Sequence, residues 1–385
     1  MDFELNEEQA LSQDSARRMV ERQIAPILGA NPADQPLPLP ALLKIYAVLA
    51  EQGLTAPRLP AEAGGSGMRM LDYGLAFEQL PPAIAISLLA HECTIARIYA
   101  ESEPEQQERF LPDAIAGKVL CCTGTTEPNT GSDPRGVLTK VRPDGNQLVI
   151  NGRKMWITNG TVSGTMVVTC SAGTDERGRN IMRRIVVQRD KSPFEASEIE
   201  CLGLQQGHLA ELVFDDCRVP KENSLGKEGD AARVLTLTWN GNRPLVGLSA
   251  VHLAQKALDK AIEYAGVRKQ FGHLIGGTQL IQERLADIAT LVDTSRLLCY
   301  RALAVIDKGG RANGSSAMAK RYAMNACLEA VTLAMHVHGA MGISREAGLE
   351  QLFRDVRMLP IPDGTNEILT LIIGRELTGM DAFRR

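Results

Sequence analysis

The sequence has no surplus of positive charge: 42 lysines and arginines stand against 46 aspartates and glutamates, a net charge of -4. That argues against a nucleic-acid scaffold, which usually carries a basic face. It has no run approaching the roughly 20 uninterrupted apolar residues of a membrane helix, so no membrane partner is expected. The opening Met1-Asp2-Phe3-Glu4-Leu5 lacks the basic-then-apolar order of a secretory signal. Eight cysteines are present, but the only close pair is Cys121-Cys122, which is not the C-x-x-C spacing of a metal or redox site. Reduced thiols in a cytoplasmic protein are the expectation.

Further absences narrow the chemistry. The nearest approach to a G-x-G-x-x-G turn is Gly65-Ser66-Gly67-Met68-Arg69-Met70. It lacks the third glycine and follows no strand, so any dinucleotide is held outside a Rossmann fold. His336 and His338 would point about 200° apart on a helix and cannot share a metal, and no metal is expected. No G-x-S-x-G elbow occurs, which speaks against a serine hydrolase.

What is present falls into three regimes. At roughly 150 residues per domain, 385 residues suggest two or three domains. Residues 1–118 are rich in helix formers, with helices expected near 7–28, 40–52, 71–80, 83–100 and 104–117. The proline-rich stretch 31–40 is a loop, because repeated prolines exclude both helix and ladder. Residues 119–230 read as strands: 137–142 and 147–150 flank Pro143-Asp144-Gly145-Asn146, a hairpin turn, and further β-rich runs cover 154–158, 165–171, 181–188 and 211–217. Short turns with no intervening helix predict a small antiparallel barrel or sandwich rather than a parallel βαβ array. Residues 231–385 return to long helices, where Ile281, Leu285, Ile288 and Val292 form a buried stripe. The predicted fold is α+β and multidomain: an N-terminal helical domain, a middle antiparallel β-barrel and a C-terminal helical bundle.

Five segments carry the remaining signal. They are Thr125 to Asp133, Lys154 to Gly160, Arg268-Lys269-Gln270-Phe271-Gly272, His338 to Gly342, and Pro362-Asp363-Gly364-Thr365-Asn366-Glu367. Singly each is an ordinary loop. In this order and spacing they resemble the acyl-CoA dehydrogenase family, over nearly the whole chain. The family's TEPGAGSD stretch reads Thr126 to Asp133 here, INGxKxWITNG reads Ile150 to Gly160, VFDDVxVP reads Val213 to Pro220, and RxxFG reads Arg268 to Gly272.

The resemblance implies a bound FAD. Thr125, Thr126, Trp156 and Thr158 would line the isoalloxazine, and such contacts tune the flavin while the cofactor does the redox chemistry. Ser132 would lie near the flavin phosphates and the acyl-CoA entrance. Arg268, Phe271, Gln279, His336 and Gly339 match positions that grip the adenine-diphosphate half from a neighbouring subunit, which implies a homo-oligomer, dimer or tetramer. Thr365 and Glu367 match flavin contacts, and Asn242, Arg243 and Gly364 match substrate positions. An electron-transfer flavoprotein is the implied acceptor.

In the family reaction a carboxylate removes the Cα proton of an acyl thioester while a hydride leaves Cβ for flavin N5. Most members carry Glu in a Tyr-Glu-Gly-Thr turn, and this chain has Pro362-Asp363-Gly364-Thr365. An alternative helix position for the base aligns with Asn242, which cannot serve. Asp363 is therefore the acid at the catalytic positions, with a reach shorter by about 1.5 Å, one bond length. Three readings follow: a bulky or alicyclic acyl group that brings Cα closer, a backbone shift that preserves straight-chain substrates, or different chemistry on the scaffold. Nitroalkane-oxidase-like flavoenzymes illustrate the last, and a separate alternative is a dehydrogenase of acyl-carrier-protein thioesters on the same fold. Gln205-Gln206-Gly207-His208, His336 and Ala340 also depart from the commonest family residues.

Overall fold

The structure, a computed structural model, describes residues 4–226 and 231–382, the side chains of 231–237 excepted. The expected domain boundary at 230 falls on 227–230, outside the described residues. In the N-terminal region, α1 (Glu7–Met19) begins under a reciprocal cap in which Asn6 and Gln9 bond each other's backbone. The helix expected over 7–28 is not uniform: a π-helical turn at Val20–Ile24 separates α1 from α2 (Ala25–Gly29). Pro26, in the first turn of α2, cannot supply the amide that would continue a regular ladder. Then follow α3 (Leu39–Glu51), α4 (Met70–Phe77), α5 (Pro82–Glu101), α6 (Pro104–Phe110) and α7 (Pro112–Ile115). The single helix expected over 104–117 is divided at Leu111, the residue before a proline.

The middle region holds β1 (Cys121–Gly124), β2 (Lys140–Asp144), β3 (Gln147–Thr158), β4 (Thr165–Thr174), β5 (Asn180–Gln188), β6 (Glu195–Glu198), β7 (Leu209–Pro220) and β8 (Ser224–Leu225). The hairpin at Gly145-Asn146 forms as expected, with Asp144 opposite Gln147. The runs 147–150 and 154–158 are one strand with a bulge between Ile150 and Gly152. Gly152 takes a φ of +148°, and a Cβ there would sit 2.7 Å from the Thr139 backbone.

The closed antiparallel barrel is not what forms. The sheet is mixed and open, in the order β6-β7-β3-β2-β4-β5-β8, with β1 added on β4. Both β1 and β2 lie parallel to β4 along the same edge of it. The reason is topological: β1 arrives directly from the helical region without a hairpin, so its partner is a strand some forty residues later. The outermost strands are β6, of four residues, and β8, of two, and short edge strands limit unwanted pairing. One sheet face packs on Ile150, Val168, Ile185 and Phe214. The other, with Cys121, Val167 and Val186, packs on Ile95, Ile98 and Phe110 of the helices.

The C-terminal region comprises α8 (Ala231–Val267), a hairpin of β9 (Lys269–Gln270) and β10 (His273–Leu274), α9 (Gln279–Asp307), α10 (Asn313–His338), α11 (Leu349–Met358) and α12 (Asn366–Thr378). The predicted stripe is partly realised: Ile288 and Val292 are buried, Ile281 and Leu285 half-buried against the core. Helices of both ends share one core, where Tyr46, Phe77, Leu88, Leu248, Leu303 and Val331 meet. Two segments, Pro82–Glu101 and Asn313–Ile343, reach the length and hydropathy of a membrane span, and 67% and 44% of their apolar windows lie inside the protein. This packing sets α5 and α8 beside the β1 edge of the sheet, and a cleft opens there.

Candidate active site

The cleft has a volume of about 1610 Å³. Thr125, Thr126, Ser132, Trp156, Thr158, Asn242, Asp363, Gly364 and Thr365 all line it. They come from four separate places in the chain: the loop after β1, the end of β3, the middle of α8 and the turn before α12. Arg243 stands behind the last of these. Arg268, Phe271, Gln279, His336, Gly339 and Glu367 do not line the cleft. All six are exposed, Phe271 at 99%.

A buried ion pair shapes the sheet wall. Lys154 Nζ lies 2.8 Å from Glu127 Oε1 and donates to the carbonyls of Thr169 and Thr125 at 2.6 and 3.2 Å. Glu127 also accepts the amides of Leu138 and Thr139 at 2.6 and 2.8 Å. Burial would raise its carboxyl, but hydrogen bonds from Lys154, Thr139 and Leu138 hold it below the usual range. Glu127 and Thr130 bond each other's backbone, which fixes the hydroxyl-rich loop. Trp156, half-exposed on this wall, has a φ of +62°, a conformation non-glycine residues rarely adopt and one that clusters at functional sites.

The opposite wall carries the acid. Asp363 is half-buried, with a φ of +53°, and Gly364 follows at +100°. Lys320, fully buried on α10, reaches under this turn and donates to the carbonyls of Pro362, Gly364 and Pro360 at 2.5, 2.6 and 3.5 Å. Burial pushes its ammonium down to about 7 against the attraction of Asp363. Arg243 Nε donates to the Asp363 carbonyl at 3.3 Å. Thr365 then caps α12, accepting from Ile368 N. The carboxylate is thus carried on a turn tied down at four backbone carbonyls.

Behind Asn242, Arg58 donates to Glu92 at 2.6 Å and to Asn242 Oδ1 at 2.7 Å; of the three only Asn242 lines the cleft. Burial raises the Glu92 carboxyl to about 7, although Arg58 opposes it. Gln205-Gln206-Gly207-His208, the departure noted in the sequence, ties the sheet to the proline-rich loop: Gln206 donates to Leu28, Asn31 and Pro32 carbonyls, and His208 Nε2 bonds Leu37 O at 2.8 Å. Of the histidine pair, His338 is buried and stacks on Tyr264 at 4.3 Å, while His336 is exposed.

Sequence reasoning missed Lys320, Arg58, Glu92 and Arg97. Lys154 stood within a quoted motif, but its role did not show. No local signal marks these residues, because each acts on a partner far away in the chain.

The cleft wall of hydroxyls, main-chain groups and an indole beside a large open volume suits an isoalloxazine and a thioester together. Comparison with known proteins agrees. The chain matches the acyl-CoA dehydrogenase N-terminal domain over residues 6–118, the middle domain over 122–217 and the C-terminal domain over 232–378. It is 33% identical over 382 residues to the probable acyl-CoA dehydrogenase YngJ of Bacillus subtilis, covering 98% of this chain and 100% of that one. It is 34% identical to cyclohex-1-ene-1-carbonyl-CoA dehydrogenase of Geobacter metallireducens, over 97% and 98% of the two chains. The butyryl-CoA dehydrogenase structure from Megasphaera elsdenii superposes with a TM-score of 0.91 at 28% identity, over 98% and 100% of the chains. This chain belongs to the acyl-CoA dehydrogenase family and is an FAD-dependent oxidoreductase.

Proposed function

We propose that the protein introduces a double bond between Cα and Cβ of an acyl-CoA thioester, with Asp363 taking the Cα proton. FAD, when bound, accepts the hydride from Cβ. Thr125, Thr126, Trp156 and Thr158 would hold the flavin ring, with Ser132 and Thr365 beside it; Glu367, which does not line the cleft, is kept as a flavin position on the family motif alone. Arg268, Phe271, Gln279, His336 and Gly339 would reach the adenine half of a neighbouring subunit's FAD in a dimer or tetramer. An electron-transfer flavoprotein would reoxidise the enzyme.

The observation that carries this reading is the placement of Asp363: it lines the same cleft as the hydroxyl-rich loop, on a turn secured by Lys320 and Arg243. Because aspartate is one methylene short of glutamate, a branched or alicyclic acyl group that brings Cα close to the carboxylate is the favoured substrate shape. The similarity to a cyclohexene-carbonyl-CoA dehydrogenase supports that shape.

The test is Asp363→Asn. Asparagine also tolerates a positive φ, so the turn survives and only the base is lost. The variant is expected to retain FAD and to lose at least ~100-fold in turnover. Near wild-type activity would refute the assignment. Anaerobic titration with straight, branched and alicyclic acyl-CoAs, followed by flavin bleaching, reads the substrate shape. Bleaching by an acyl-carrier-protein thioester, and by none of the CoA esters, would replace CoA with a carrier protein.

A further inference from the structure

The facing stripes of α5 and α8 present two kinds of residue to the cleft. Ile86, Leu89 and Ala90 on α5 and Val246 on α8 are apolar, whereas Arg97 and Asn242 are not. Both polar residues are deeply buried, at 4% and 2% exposure. Arg97 makes one long hydrogen bond among the described residues, from Nε to Thr238 Oγ1 at 3.4 Å, and its side chain lines the cleft. It has no ion-pair partner among the described residues within 4 Å.

Asn242 is oriented by its neighbour. Arg58, which can only donate, binds its Oδ1 at 2.7 Å, so Nδ2 is left as a donor with no acceptor among the described residues. Thr238 and Asn242 are four apart on α8 and share one face, which places the Arg97 guanidinium and the Asn242 amide one helical turn from each other. The nearby anions are engaged elsewhere. Glu92 feels Arg58, Arg97 and Asp363, but its carboxylate is bonded to Arg58. Arg97, buried and with no direct ion pair among the described residues, is left with its fork available to an entering anion.

We propose that Arg97 and Asn242 bind a carboxylate carried on the acyl group, so that the enzyme prefers CoA monothioesters of dicarboxylic acids. The proposal rests on the dehydrogenase reading above and names the substrate class of the same site. The apolar stripe accommodates the carbon skeleton, and the guanidinium offers its planar fork to the carboxylate. A site built to hydrogen-bond a substrate group rejects the analogue lacking it far more strongly than an apolar pocket rejects a missing methylene.

The test pairs acyl-CoAs of equal carbon count on the FAD-loaded enzyme: succinyl- with butyryl-, glutaryl- with pentanoyl-, adipyl- with hexanoyl-CoA. At least one diacid is expected to exceed its neutral mate by ~10-fold or more in kcat/KM for flavin bleaching. Arg97→Met should collapse that ratio by ~10-fold or more, and Arg97→Lys should retain part of it. A second readout avoids turnover. On an Asp363→Asn background, adding Arg97→Met should weaken binding of the preferred diacid, seen as the flavin absorbance shift, by a similar factor. Bleaching by neutral esters with no advantage for any diacid, or an unchanged ratio in Arg97→Met, would overturn this proposal alone. A branched or alicyclic acyl-CoA is run beside the pairs: bleaching by that ester and by none of the diacids would overturn this proposal alone, and failure of straight, branched and alicyclic thioesters alike to bleach bound FAD would overturn the dehydrogenase reading and this proposal with it.

Discussion

Lys320→Met isolates what the buried lysine contributes. Methionine replaces the stem with little change in volume and removes only the ammonium. Two short charge-assisted hydrogen bonds disappear, those to Pro362 O at 2.5 Å and Gly364 O at 2.6 Å, and each is of a kind worth about 1.5–3 kcal/mol net. Against that loss, the wild-type protein bears the cost of burying a cation, the same cost that pushes the ammonium down to about 7. The two terms oppose each other, so global stability should fall by only about 1–3 kcal/mol. Activity should fall further. Asp363 is held at a φ of +53°, a region disfavoured by about 1–2 kcal/mol for a residue with a Cβ, and the ammonium is what ties down the carbonyls on either side of it. Once freed, the turn relaxes, and an error of ~1 Å in the base can cost ~100-fold in rate.

The assay is single-turnover flavin bleaching beside equilibrium binding of the thioester. The expectation is a drop of ~10- to 100-fold in the bleaching rate, with substrate affinity and FAD content little changed. Stability against pH supplies an independent sign. The folded chain holds the Lys320 proton less tightly than the unfolded chain, whose lysine titrates near ~10.4. The unfolded state therefore binds more protons between about 7 and ~10.4, and stability rises with pH across that window. Equivalently, the contribution is full above the unfolded value and is lost as pH falls to about 7. The Met variant should lack this rise. A bleaching rate within about twofold of wild type would refute the positioning role.

The parts of the site legible in the sequence are those written in contiguous residues. Thr126 to Asp133 and Lys154 to Gly160 mark where strands end at the cleft, and Asp363-Gly364 marks a turn, since both residues tolerate a positive φ. The helical stripes and the Gly145-Asn146 hairpin follow from periods of 3.6 and 2 and from turn chemistry. What was not legible depends on distant partners. Arg58 meets Asn242 across 184 positions, and Lys320 meets Gly364 across 44. In sequence an arginine on an apolar helix such as α5 looks like an error in its pattern, and only the cleft gives Arg97 a surface to face. The barrel failed for a related reason: alternation reveals which face of a strand is buried but not which strand lies beside it, and the parallel pairing of β1 on β4 has no turn to announce it.

Two further substitutions separate the walls from the base. Lys154→Met leaves the Glu127 carboxylate with only the amides of Leu138 and Thr139 and no cation, and breaking a buried pair typically costs about 3–5 kcal/mol; the melting temperature and the flavin-to-protein ratio should both fall, and an unchanged ratio would show that the loop after β1 does not depend on this pair. Phe271→Ala probes the far end of the cofactor. Phe271 is 99% exposed at the tip of the β9–β10 hairpin, so within one subunit its loss should change stability by no more than about 0.5 kcal/mol. If the hairpin instead grips a neighbour's FAD, the same substitution should weaken FAD retention and assembly together, increasingly so on dilution, as sedimentation and flavin release would record. Unchanged assembly and unchanged FAD affinity would mean that the aromatic tip faces nothing, and the shared-cofactor arrangement would lose its argument from this residue.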